Sequence, residues 1–281
     1  MFMTLEECRS AWEKAGGHGT PAERIERNKR WLSYYSYLAR RQEGAGAFSP
    51  QSEEIAAYLE QEGWLRPDGT VLDIGAGMGN YTLSFGKRCR EVTALDMDQE
   101  SLRVLRERAE KLSLPGIRTE TAMWEQYVPA KKYSLVFSSM CPAICNYEEL
   151  LKMESMAEDT CCLIAVTRGS YDLHRKNLMQ LLDVRPKGGM TTEALWYYEM
   201  LYLMGRQPDV KNYTRHFAYD VSVEDACAQG EVYYQIFGIP PARSRPVLER
   251  YYGERAENGM VHDESHLNLA LISWHPAGAT Y

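Results

Sequence analysis

The stretch "VLDIGAGMGN", residues 71–80, decides the fold. Three glycines, Gly75, Gly77 and Gly79, alternate along it behind an apolar run that carries Asp73. Glycine between the carboxyl end of a strand and the first turn of a helix lets backbone approach a ligand closely. The helix start adds unpaired N–H groups and a partial positive charge. A dinucleotide-binding turn has the spacing G-x-G-x-x-G, which requires glycine at position 80, and Asn80 stands there instead. An acid two residues before the first glycine also suits a ligand with a cationic end better than an anionic pyrophosphate.

The sequence around this turn alternates strands and helices. "TVLDIG" (70–75) reads as a short buried strand and 80–89 as a helix. Strands at 91–96, 117–122, 133–139 and 161–167 follow, with an amphipathic helix over 99–114 and another around 147–156. Such spacing implies a parallel sheet covered on both faces. The first 52 residues are helical in pattern: "TLEE" and "TPAE" have capping-box spacing, and "SP" at 49–50 opens a third helix. Residues 171–205 read as two helices joined by the Gly-rich "RPKGGMTT", so 171–212 is expected as a helical cap inserted into a sheet domain of residues 53–281. Strands return at 214–221 and 266–274.

The pattern D-x-G-x-G-x-G, carried by Asp73, Gly75, Gly77 and Gly79, resembles motif I of the class I S-adenosylmethionine-dependent methyltransferases. The resemblance runs over roughly residues 67–167 in order and spacing. It implies a Rossmann-like α/β fold, a seven-stranded, mostly parallel sheet of order 3-2-1-4-5-7-6 with the last strand antiparallel. The cofactor it implies is S-adenosyl-L-methionine, with S-adenosyl-L-homocysteine as product. Asp73, Gly75, Ala76, Gly77 and Gly79 would then face the cofactor, Asp73 toward its amino group. Asp96, at the end of the second strand, would take the ribose hydroxyls, and Met97 would pack on the adenine. Asp98 reads as the cap of the next helix. Where many family members place an acid for the adenine, this chain has Ala122, Met123 and Trp124, which leaves backbone and apolar contacts. "FSSMCPAICN" brings Ser139 to the methyl-transfer site and lacks the N/D-P-P-Y/F signature of base and glutamine methylation.

The whole chain narrows the function further. Its 281 residues carry a net charge of −7, which argues against a broad nucleic-acid surface. No apolar run approaches the ~20 residues of a membrane span. Seven cysteines, no CxxC pair and no signal-peptide pattern point to a cytoplasmic protein with reduced thiols. The expected activity is methyl transfer to a small-molecule acceptor. A cofactor-binding regulatory protein and an RNA methyltransferase are the alternatives, the latter through the Arg-rich, aromatic stretch 24–41. That stretch reads more simply as an amphipathic helix with its aromatic face on the core. No catalytic base is evident beside "SSMCPAI", and His174, His216 and Tyr34 are the candidates. "HDESH" (262–266) reads as a solvated loop, so no metal is expected.

Overall fold

The computed structural model describes residues 3–17, 20–41, 48–184 and 193–278. Helix α1 (Leu5–Trp12) starts at a capping box in which Thr4 and Glu7 exchange hydrogen bonds, and a π turn (Glu13–Gly17) extends it. Helix α2 (Pro21–Arg41) starts on the matching Thr20–Glu23 pair, and α3 (Pro50–Gln61) on Ser49, whose hydroxyl accepts from Ser52 N–H. The three starts lie where the sequence signals put them.

The sheet follows. Strands β1 (Thr70–Ile74), β2 (Glu91–Asp96), β3 (Ile117–Thr121), β4 (Tyr133–Ser139) and β5 (Ala157–Val166) are all parallel. They are joined by α4 (Asn80–Gly86) and α5 (Gln99–Lys111), and by α6 (Tyr147–Ser155) between β4 and β5. Side chains alternate between faces, as strand geometry requires. Leu72, Ile74 and Val136 join a core with Trp12, Leu150 and Met153 on one face, whereas Val71, Leu135 and Phe137 meet Ile55, Leu59 and Phe85 on the other. Burial on both faces explains why β1 and β4 read as largely apolar runs.

After β5 come a two-residue strand β6 (Tyr171–Asp172), α7 (Arg175–Leu181), α8 (Ala194–Leu203), β7 (Asp209–Ser222), α9 (Val223–Gln235), α10 (Pro241–Gly253) and β8 (Met260–Trp274). Among the described residues the sheet has eight strands, in the order β3-β2-β1-β4-β5-β8-β6, with β7 paired to the free side of β8. The difference from the seven expected is β6, whose two residues are too few to carry a periodic signal. Without β6 the order is 3-2-1-4-5-8-7, the expected topology, with β8 antiparallel to β5.

Two expectations change. β7 and β8 are longer than 214–221 and 266–274, because all 14 residues of β7 pair with β8. β8 meets β5 only from Leu269 onward, so its first half projects with β7 as a ribbon beyond the carboxyl ends of the parallel strands. "HDESH" is therefore strand and not loop. It carries no apolar alternation, and pairing with β7 supplies its structure. The segment 171–212 likewise divides. α7 packs Leu178 and Leu182 on Cys227, Tyr234 and Leu248, residues of α9 and α10. α8 instead packs Tyr197, Met200 and Leu201 on the main core, where Trp196 stacks on Trp12. The helical cover at the ribbon thus draws on 171–184 and 223–253. The connection 185–192 lies outside the described residues.

The turn ahead of α4 is tightly held. Gly79 has φ 82°, and a Cβ there would sit 2.1 Å from Leu105 Cδ1 and 3.1 Å from Leu105 Cγ. Gly79→Ala is expected to destabilise the chain by about 2 kcal/mol, from left-handed backbone and overpacking together. A thermal melt should fall by roughly 4–8 °C. An unchanged melt would mean that the turn relaxes freely.

Candidate functional site

The carboxyl ends of β1, β2 and β4 face one cavity, the position where open α/β sheets bind ligands. Gly75, Gly77 and Gly79 all have positive φ (73°, 53° and 82°), so three consecutive bends fold the turn back on β2. Gly75 and Ala76 N–H both donate to Leu95 O, at 2.8 and 3.0 Å. Gly77 N–H donates to Asp96 Oδ2 at 2.8 Å, and Asp98 N–H to Asp96 Oδ1 at 2.8 Å. The Asp96 carboxylate is thereby fixed at the cavity edge with lone pairs to spare. Its partial withdrawal from water raises its pKa, which the two N–H groups and Met97 N–H oppose.

Gly75, Gly77, Asp96, Met97, Met123, Trp124 and Ser139 line this cavity, as do Tyr35, Cys141 and Pro142. The cradle is close-fitting, since a Cβ on Gly75 would lie 2.8 Å from Cys141 Sγ. Trp124 Nε1 is buried with no hydrogen-bond partner among the described residues. Burial pushes the Cys141 thiol up to about 12, so it is a neutral wall and not a nucleophile at neutral pH.

Three expected residues are elsewhere. Ala76 meets the α5 side with Leu83 and Leu105, and Gly79 abuts Leu105. Asp73 points away from the cavity. It shares the face of Val71, toward α4, where Thr82 Oγ1 donates to its Oδ2 at 2.5 Å. Asp73 pins the first turn of α4 to β1 and does not touch the ligand space. Burial raises its carboxyl to about 7, Thr82 opposing and Asp96 adding to the rise. The folded chain then keeps a proton that the unfolded chain has released above its ordinary ~4. The stability from this group is full below about pH 4 and is lost as pH rises through 7. Asp73→Asn should show a shallower fall in melting temperature between pH 4 and 7 than the natural chain. Equal slopes would mean an ionised Asp73 throughout.

Helix α2 covers the cavity. Ser36 Oγ donates to Asp98 Oδ1 at 3.0 Å, while Asp98 also caps α5 through Glu100 N–H and Ser101 Oγ. Asp98 is thus the expected cap and also a tether for α2. The tether carries Tyr35 into the cavity, and its neighbour Tyr34 into a second one. Sequence reading missed Tyr35. The aromatic spacing of 31–37 was the signal, but periodicity alone does not say which ring faces which cavity.

The second cavity is walled by Tyr34, Asp172, His174, Arg175, Tyr219, Tyr233, Tyr252 and Asp263, where α7 and α9 meet the ribbon. The Arg175 guanidinium donates to Tyr233 Oη and stands over that ring. His174 uses both ring nitrogens, with Nε2 2.8 Å from His262 O and Nδ1 3.3 Å from Tyr251 Oη. Nε2 therefore carries the proton, and the ring is held in place. Tyr34 has its pKa raised, by burial first. His216 stands apart, on the other ribbon face from Tyr219 and Asp263, beside Glu264 and His266.

A glycine cradle, a fixed acid at the end of β2 and a 3-2-1-4-5 sheet with an antiparallel partner form a Rossmann-like α/β domain with its cavity at the carboxyl ends of the strands. Residues 71–158 match the methyltransferase domain family. A curated relative, a probable cobalt-precorrin-6B C(15)-methyltransferase (decarboxylating) of Methanobrevibacter smithii, is 31% identical over 65 residues. That match spans 23% of this chain and 35% of the relative, so the chain matches about a third of its length. Among solved structures, the YcgJ protein of Bacillus subtilis is 13% identical with a TM-score of 0.49, covering 79% of this chain and 98% of that one. Coclaurine N-methyltransferase, solved with N-methylheliamine and S-adenosylhomocysteine, is 15% identical with a TM-score of 0.48, covering 96% and 92%.

Proposed function

We propose that this chain is an enzyme that transfers the methyl group of S-adenosylmethionine to a small-molecule acceptor, releasing S-adenosylhomocysteine. The observation that carries this is Asp96, fixed by two backbone N–H groups at the edge of a cavity that Gly75, Gly77, Met97, Met123 and Trp124 also line. When bound, the cofactor supplies an electrophilic methyl carbon. Asp96 accepts hydrogen bonds from ribose hydroxyls, the glycines admit the ligand close to the backbone, and Met97 and Met123 wall the base apolarly. Trp124 Nε1 has a hydrogen bond to give.

The second cavity is the acceptor chamber in this proposal, with α2 as the wall it shares with the first. Five tyrosines with Asp172, Asp263 and Arg175 suit a polar aromatic or amine acceptor. Tyr34, kept protonated by burial, hydrogen-bonds and orients the acceptor, and His174 acts by holding its wall in place. Orientation of two held reactants is worth up to roughly 7–11 kcal/mol, so little acid–base chemistry is needed. The cover is assigned to α2 together with α7, α9 and α10. A cytoplasmic setting belongs to the same proposal and is supported by seven cysteines, none of which forms a disulfide among the described residues. Among the described residues no helix is long and apolar enough to cross a membrane.

The test is incubation of the full chain with methyl-labelled cofactor and a fractionated metabolite extract. Label should move to one low-molecular-weight fraction. Tyr34→Phe should slow that transfer at least about tenfold, about 1.4 kcal/mol, at unchanged S-adenosylhomocysteine affinity. Binding with no transfer to any fraction would leave the regulatory alternative standing, and transfer to added RNA would favour the other.

A further inference from the structure

The outer face of the β7–β8 ribbon carries a cluster that neither cavity uses. Strand register sets His216 directly opposite His266, and Glu264 lies two residues before His266 on the same face. His216 Nε2 is 3.1 Å and His266 Nε2 3.0 Å from one oxygen, Glu264 Oε1. The two rings stack with centroids 4.3 Å apart. One ligand atom from each of the three residues lies within 4.8 Å of the others. Two imidazole nitrogens aimed at one carboxylate oxygen are a donor set for zinc-class divalent cations, which take three protein ligands and a water. Bonds of about 2.0–2.1 Å to a tetrahedral ion put its ligands about 3.3 Å apart, close to the spacing already present.

We propose that His216, Glu264 and His266 bind one zinc-class divalent cation and so clip β7 to β8. The clip lies at the level where the opposite ribbon face, through Tyr219 and Asp263, walls the second cavity. The site does not depend on the methyl-transfer proposal, since none of its three ligands lines either cavity. One step along the ribbon, His262 Nδ1 and Asp220 Oδ1 lie 3.0 Å apart, and that pair is outside the set. Sequence reading expected no metal here because "HDESH" looked like a loop; His216, 50 residues from His266, joins it only through strand pairing.

Calorimetric titration of the chelator-stripped full chain with zinc chloride tests the site, with cobalt(II) absorption as a second readout. One equivalent should bind saturably and raise the melting temperature. His216→Ala, Glu264→Gln and His266→Ala should each weaken binding by more than about 100-fold, beyond the loss typical of residues that only support a ligand. His262→Ala should bind like the natural chain. These side chains are exposed or half-buried, so unchanged circular dichroism is expected of each variant. No saturable binding by the natural chain, full affinity in any of the three ligand variants, or equal loss in His262→Ala would each overturn the assignment.

Discussion

Asp96→Ala is expected to weaken S-adenosylhomocysteine binding by about 100- to 10,000-fold. The carboxylate already accepts from Gly77 and Asp98 N–H at 2.8 Å each, so its position is set before any ligand arrives. On the proposed reading it then takes two ribose hydroxyls. Hydrogen bonds to a charged group contribute about 1.5–3 kcal/mol each, and 1.4 kcal/mol is a factor of ten. The mutation also strands Gly77 N–H and loosens the glycine turn. Asp96→Asn keeps an acceptor oxygen without the charge and should lose less, about tenfold. Calorimetry on the three proteins decides the matter. Alanine binding within threefold of the natural chain would move the ribose elsewhere.

Glu154→Ala is expected to cost about 3–5 kcal/mol of folding stability, the loss seen when one partner of a buried ion pair is removed. Glu154 is buried at the end of α6. It accepts from Arg206 Nε at 3.0 Å and Nη2 at 2.6 Å, and from Trp274 Nε1 at 3.1 Å. One carboxylate therefore joins α6, the connection between α8 and β7, and the last residue of β8. Alanine leaves Arg206 and the Trp274 indole without their acceptor. Chemical denaturation measures the loss, with a melting temperature lower by roughly 10 °C or more. The Glu154→Ala/Arg206→Ala double variant should lose less than the sum of the singles, because the stranded cation is gone. Additive losses, or a single loss below about 1 kcal/mol, would show that the pair contributes little.

The parallel half of the fold was legible because β1, β2, β4 and β5 are buried on both faces and the turn after β1 carries glycine. Capping boxes placed the first helices for a similarly local reason. The ribbon was not legible, since Asp209–Ser222 is exposed or half-buried along its length and has no apolar period to read. The cover helices were misgrouped because amphipathic α7 and apolar α8 say that they bury something and not what. Asp73 was assigned to the ligand by its place in the motif. Strand alternation turned it to the Thr82 side instead.

By itself, then, the sequence determined the glycine turn, the acid at the end of β2 and the alternation of strands with helices. These depend on backbone conformation and on spacing within one strand–turn–helix unit. Tertiary structure alone decided that Tyr35 and Tyr34 face two different cavities, that Asp98 tethers α2 through Ser36, and that His216 meets His266. Each of these joins residues far apart in the chain. Such contacts arise only when separate elements pack, and no local period encodes which face meets which.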